Sequence, residues 1–243
     1  MAEVTRAESC VVACAEAWRG DGAVIASAFG FIPTIGARLA RATFEPALVL
    51  SDGEALLVAN DLPIHGGEKL VEGWLPFRSV FDTVWAGTRH VMMGATQIDR
   101  YGNQNISAIG DHAKPKVQMI GVRGAPGNTI NHPTSYWVAS HSTRVFVELV
   151  DFVSGVGHDK TPPGNVRFVI TNLGVFDFQT PQRTMRLRAL HPGVTIDEVR
   201  ENTGFELIIP DHVEEARAPS DEELRLIREM LDPKGLRKRE VPA

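Results

Sequence analysis

Two short apolar runs with a helical stretch between them constrain this chain more than any other feature. "AVIASA" (23–28) is bounded by glycine, and "ALVL" (47–50) stops at Ser51-Asp52-Gly53. Neither run alternates with polar residues, which suits strands buried on both faces. Between them lie a glycine-bearing loop, "FGFIPTIG", and "ARLARATF", which has helical spacing. Strand, loop, helix and strand in this order predict a doubly wound α/β sheet.

The remaining sequence supplies further elements. "TRAE" (5–8) has the form of a capping box, with Thr5 as N-cap and Glu8 reaching back. Val11, Val12, Ala15 and Trp18 continue its apolar stripe until Gly20 and Gly22 end the helix. "HVMMGATQI", "VQMIGV" and "TRVFVELV" are strand candidates in a glycine-rich middle. From 162, "PPGNVRFVITNLGVFDF" gives two strands joined at Asn172-Leu173-Gly174, and "MRLRAL" alternates as a half-buried strand does. "TIDE" (195–198) is a second capping box before a helix ending near Gly204, and "FELIIP" is a further strand. "SDEE" (220–223) opens a helix with Leu224, Ile227, Met230 and Leu231 on one face. No linker interrupts the pattern, so residues 1–243 read as one domain.

Composition narrows the function. The net charge of −5 argues against nucleic-acid binding, which needs a basic face. The one basic run, "KGLRKRE" (234–240), reads as a solvated segment. Cys10 and Cys14 share a helix face as buried small residues. Without a CxxC motif, signal peptide or long apolar run, the expected setting is a reducing cytoplasm with no membrane association. The eight histidines form neither HxxxH nor HExxH, so no sequence-local metal site is expected.

Three stretches could carry chemistry. Ser51-Asp52-Gly53 ends a buried strand, where open α/β sheets hold their ligands, and a carboxylate there could serve as nucleophile or base. It could equally be a polar turn. In "GATQIDRYGNQNISAIGD" (94–111), Gln97, Asp99, Asn103 and Asn105 crowd one turn; they suit either Asx-type turn support or orientation of polar ligand groups. In "GVRGAPGNTINHP" (121–133), Gly121, Gly124 and Gly127 could leave backbone N–H groups open to an oxyanion, or form a bland flexible loop. The spacing fits neither GxGxxG nor a P-loop, and no GxSxG elbow is present.

Together these stretches, with "VITNLGVFDF", "HPGVTIDEVRENTGFEL" and "EELRLIREMLDPKG", resemble the β subunits of family I CoA-transferases, of the glutaconate CoA-transferase type. The resemblance spans nearly the whole chain. It implies an open, mixed, mainly parallel α/β sheet with flanking helices, paired obligately with a homologous α subunit, as an α2β2 heterotetramer. It also implies an acyl-CoA substrate and no dedicated cofactor or metal.

In those transferases a β-subunit glutamate in a Glu-Ser-Gly or Glu-Asn-Gly turn attacks the thioester. Here Ser51 occupies the glutamate position, Asp52 lies one residue along, and Glu54 falls past the glycine. Adjacent strand residues face opposite ways, so neither carboxylate simply replaces the missing one. The departure resembles a branch of the family that opens the last steroid-derived ring, a cyclohexenone CoA thioester from rings C and D, during cholesterol catabolism. There the base is a glutamate of the α subunit. The resemblance then implies a pocket lined by Ser51, Asp52 and Gly53, with Gly124, Gly127 and Asn128 contacting the thioester or oxyanion and Gln97, Asp99, Asn103 and Asn105 supporting the turn. The alternatives are a transferase β subunit acting on a dicarboxylic or keto acid through Asp52, and a non-catalytic structural subunit.

Overall fold

The computed structural model describes residues 3–51 and 56–242, with the backbone alone described at Ser51, Phe77 and Val80. In chain order the elements are α1 (Arg6–Glu16), β1 (Ile25–Ala28), α2 (Phe31–Thr43), β2 (Val49–Ser51), β3 (Leu56–Val58), β4 (Val71–Trp74), α3 (Phe77–Ala86) and β5 (Arg89–Gly94). The short strands β6 (Gln97–Ile98), β7 (Gln104–Asn105), β8 (Ala108–Ile109) and β9 (Val117–Gln118) follow, then α4 (Ala125–Asn131) and β10 (Thr134–Val138). β11 (Val166–Thr171), β12 (Gly174–Asp177), β13 (Arg186–Leu190), α5 (Ile196–Glu201), β14 (Glu214–Glu215) and α6 (Asp221–Arg225) come next, and a π-turn (Leu226–Leu231) and a 3-10 turn (Leu236–Arg239) follow α6.

Among the described residues ten strands form one sheet in the order β14-β13-β12-β11-β10-β5-β1-β2-β3-β4. The centre, from β11 to β2, is parallel. Hairpins extend it antiparallel on both sides, through β3 and β4 at one edge and β12 and β13 at the other. This is the open, mixed, mainly parallel sheet that the resemblance implies. Among the described residues no helix is long and apolar enough to cross a membrane.

The first helix forms as its sequence dictates. Thr5 accepts from the Glu8 N–H, and the Glu8 carboxylate accepts from the Thr5 N–H at 2.9 Å. At Thr195 the forward bond from the Glu198 N–H is made, whereas Ser220 makes both halves of its box with Glu223.

Four expectations need correction. First, α2 begins at Phe31, so most of "FGFIPTIG" is helix. Pro33 sits in the first turn, where its missing N–H has no intrahelical partner to lose. Gly36 is a packing residue: a Cβ there would lie 2.8 Å from Cys14 Cβ, so its absence lets α1 and α2 approach.

Second, "TRVFVELV" is not a strand. Val145 and Phe146 turn back on the Ser142 carbonyl, and Phe146 forms a single bridge with Ile98. Its ring stacks on His141 at 3.7 Å, so the apolar run serves the core rather than a ladder. Third, "FELIIP" forms one bridge, Ile208 to Arg186, and Pro210 has no N–H with which to extend it. The strand in this region is β14, and of "VQMIGV" the first two residues form β9.

Fourth, the segment 234–240 is solvated only in part: Lys234, Lys238 and Arg239 are exposed, whereas Arg237 is not. Arg237 is 5% exposed and its guanidinium reaches Glu8 and Asp232, each at 2.8 Å. The helix expected from "SDEE" runs as α6 and then widens into a π-turn over Leu226–Leu231, burying Leu224, Leu226, Ile227 and Leu231. Val241 is buried in the same core as α1 and α2.

Candidate active site

From β1 the chain crosses to β2 on one side, and it later returns to β5 on the other. The sheet therefore reverses its winding between β1 and β5, and the crevice outside their carboxyl ends is where such folds take ligands. The register pairs Ala26 with Leu50 and Ala28 with Met92, so the end of β2 lies beside the end of β1 at this edge. Ser51 is the last residue of β2, and its side chain lies outside the described residues, as do Asp52, Gly53 and Glu54.

The polar turn after β5 forms a closed network. Asp99 Oδ1 accepts from the N–H groups of Tyr101 and Asn103, both at 3.0 Å, and Oδ2 accepts from the Asn103 amide at 2.9 Å. Burial pushes the Asp99 carboxyl above its ordinary value, against these hydrogen bonds. Asn103 also joins Asp159 and the Gly157 N–H. Gln97 Oε1 accepts from the Asn105 amide at 2.7 Å and from the Asp151 N–H at 3.0 Å. Asn105 in turn accepts from the N–H groups of Ser107 and Ala108. The network is tied to the carboxyl edge by the Gln104 amide, which donates to the Gly94 carbonyl at the end of β5.

The glycine stretch is more ordered than a loop. Gly124 is the N-cap of α4, and Gly127 lies within that helix. A Cβ on Gly127 would come 2.6 Å from Val84 Cγ1, so this glycine lets α4 pack against α3. Gly121 adopts a positive φ of 82° in the turn before it. Asn128 is 6% exposed, and its Oδ1 is buried without a hydrogen-bond partner.

Sequence reasoning missed one carboxylate at this edge. Glu240 Oε1 accepts from the Phe31 N–H at 2.7 Å, and Oε2 accepts from the Ile32 N–H at 3.1 Å and the Trp137 indole at 3.0 Å. It thus caps α2 at the end of β1. A groove of about 560 Å³ opens beside it, with Thr34, Arg38 and His65 among its walls. Capping signals are read over three or four residues, and Glu240 is 209 residues from Phe31, so no local pattern could reveal it. A larger groove of about 720 Å³ lies away from the switch point, between α1 and the sheet around β11 to β13.

At the opposite, amino edge stands a Ser-His-Asp constellation. Ser135 Oγ lies 2.9 Å from His90 Nε2, and His90 Nδ1 lies 2.6 Å from Asp21 Oδ2. Burial lowers the His90 pKa despite Asp21. Burial works to raise the Asp21 carboxyl, but His90 and Arg167 outweigh it and hold that carboxyl below its ordinary value. A neutral imidazole therefore donates to Asp21 and accepts from Ser135. Ser135 and His90 are both 0% exposed, so no substrate reaches the hydroxyl. The arrangement anchors β5, β10 and the approach to β1.

Two buried cysteines and two further buried histidines are also structural. Burial pushes the Cys10 thiol up to about 12 and the Cys14 thiol well above its ordinary value, which leaves both as inert thiols. Burial lowers His141 to about 3 and His191 to about 4. Among the described residues no three His, Cys, Asp or Glu side chains gather as a metal site.

The family model described as Coenzyme A transferase matches residues 11–202. The cholesterol ring-cleaving hydrolase IpdB subunit of Rhodococcus jostii RHA1 is 57% identical over 98% of this chain and 97% of its own length. The IpdB subunit of Mycobacterium tuberculosis strain H37Rv is 54% identical over 98% of each chain. The crystal structure of Rhodococcus jostii RHA1 IpdAB superposes with a TM-score of 0.95 at 55% identity, covering 99% of this chain and 100% of that one.

Proposed function

The chain belongs to the coenzyme A transferase family, and from that membership we propose that it is the β-type subunit of a heteromeric ring-cleaving hydrolase. The substrate is a CoA thioester of the last steroid-derived ring, a cyclohexenone from rings C and D formed in cholesterol catabolism. The observation that carries the reading is 57% identity over 98% of the chain with a relative named a cholesterol ring-cleaving hydrolase subunit. Ser51, standing where transferases carry a nucleophilic glutamate, agrees with it.

The reaction is a hydrolytic carbon–carbon cleavage. A base in the α subunit activates water, which adds to the ring ketone. The ring bond then breaks in a retro-Claisen sense. Water's oxygen stays in the new carboxylate, and the carbanion, delocalised as a thioester enolate, takes up a proton. The developing oxyanion requires preorganised donors. Without a carboxylate at position 51, the thioester is not captured as an acyl-enzyme.

Ser51, Asp52 and Gly53 then line the pocket at the end of β2. Gly124, Gly127 and Asn128 supply contacts to the thioester or oxyanion. CoA arrives with the substrate, and no further cofactor is required. The working form is an α2β2 assembly with the homologous α subunit, in a cytoplasm where Cys10 and Cys14 stay reduced.

The test is co-expression with the α subunit and turnover of ring-bearing CoA thioesters in 18O-labelled water. Ring opening with one labelled oxygen in the product and no acyl-enzyme adduct is the expected result. CoA exchange between free acids, with an adduct on Asp52, would instead make the chain a transferase subunit. Turnover indifferent to every substitution in the Ser51 turn would make it a structural one.

A further inference from the structure

In an open α/β sheet, the N-terminus of the helix after the first strand is a ready anion site, because its free N–H groups and dipole point into the crevice. The substrate proposed above carries several anionic groups on CoA. Yet the first two N–H groups of α2 are already taken by Glu240, with Oε1 2.7 Å from Phe31 N and Oε2 3.1 Å from Ile32 N. The third donor, Trp137 Nε1 at 3.0 Å, comes from β10. One carboxylate thus joins the end of β1, the start of α2 and the end of β10.

The surroundings are built to receive it. Gly30 has φ of 112°, a conformation that side-chain-bearing residues rarely adopt, and a Cβ there would lie 2.9 Å from Glu240 Oε1. The segment bearing Glu240 is fixed on both sides, by the buried Arg237 ion pairs and by Val241 in the core. Phe29-Gly30, which leads into the two N–H groups that Glu240 holds, follows β1, whose neighbour β2 ends at Ser51. Phe29 is itself tied to β5 by its N–H bond to the Met92 carbonyl.

We propose that Glu240 is a positioning residue for the ring-opening reaction, its carboxylate fixing the β1–α2 loop against the carboxyl edge of the sheet where the substrate is held. A corollary is that the CoA phosphates do not use the α2 N-terminus. The proposal rests on the functional reading above. Glu240 acts through the loop backbone and is not placed on the reacting atoms.

The experiment compares wild-type, Glu240→Ala and Glu240→Gln chains, each co-purified with the α subunit, in turnover of the ring-bearing CoA thioester with and without added formate. Glu240→Ala should lower kcat about tenfold or more with a smaller change in KM, since loop misplacement near 1 Å is enough for such losses. Glu240→Gln, which keeps volume and one acceptor, should fall between. Formate should restore activity to Glu240→Ala by refilling the cap, and should not raise that of wild type. A purely structural role would lower Tm with no formate-dependent kcat. That result, or wild-type kinetics in Glu240→Ala, overturns the proposal.

Hydrogen exchange of residues 28–32 in the same complexes separates the two readings. If wild type opens no ring, the functional reading fails alone. Faster loop exchange in Glu240→Ala, reversed by formate, would then still show that Glu240 fixes the loop, and unchanged exchange would overturn the proposal whatever the reaction.

Discussion

Glu8, in the first turn of α1, meets Arg237, 229 residues later, at 2.8 Å in a buried ion pair. Arg228 approaches the same carboxylate at 2.7 Å, and Asp232 holds the other side of the Arg237 guanidinium. Glu8 also completes the α1 capping box. One carboxylate therefore starts the first helix and fastens the 228–237 segment to it, which in turn sets the position of Glu240.

Removing Arg237 leaves Glu8 paired with Arg228 but takes from the buried Asp232 its ion-pair partner. Arg237→Met is expected to destabilise the chain by about 3 kcal/mol, the usual cost of breaking a buried pair from one side. Thermal melting of the complex checks this; a drop of less than about 2 °C would contradict it.

The same carboxylate gives the fold an acid limit. Burial alone would raise the Glu8 pKa, but Arg228, Thr5 and Arg237 outweigh it and bring it down from 4.5 to about 2. A depressed folded-state pKa stabilises above the unfolded value, and the benefit is lost as pH falls through the folded value. Stability should therefore decline between pH 4.5 and about 2, and Glu8→Gln should flatten that part of the curve. Denaturant midpoints measured across this range decide the matter.

Gly127→Ala places a methyl group 2.6 Å from Val84 Cγ1 and should cost about 1–3 kcal/mol by overpacking α3 against α4. Val84→Ala in the same chain should recover much of that loss, because the clash is with the valine itself. Additive losses in the double variant would show that the strain lies elsewhere.

The Ser135 hydroxyl is expected to be silent in catalysis. Ser135→Ala should cost about 1 kcal/mol for the lost hydrogen bond to His90 and leave kcat unchanged. A fluorophosphonate probe should not label the native complex; stoichiometric labelling of Ser135 would refute the structural assignment.

Cys10 and Cys14 should resist iodoacetamide at pH 8 in the native state and react after unfolding in urea. Both are 0% exposed, and burial holds both thiols protonated. Mass spectrometry of the alkylated chain counts the modified sites.

Signals that act locally were legible in the sequence. The Thr5 and Ser220 boxes, the β11–β12 hairpin and the half-buried alternation of β13 all follow from residues within a few positions of one another. The start of α2 was not legible, because Pro33 and Gly36 read as breakers until α1 is in place to require a close approach. Within the 234–240 run Arg237 departs from the solvated reading for the same reason: it reads like its exposed neighbours unless Glu8 is known to lie beside it. The Ser51 turn is proposed from its resemblance to a family motif, whereas Glu240 serves a helix it does not neighbour in sequence.

The sealed triad at the amino edge carries a warning for functional inference by geometric template. Three side chains at hydrolase distances would assign this chain an esterase mechanism, and the assignment would fail on reachability, since Ser135 and His90 are closed to solvent. Proton-relay geometry arises wherever a buried histidine must satisfy both ring nitrogens, so it is the open path to the hydroxyl that distinguishes an enzyme from a rivet.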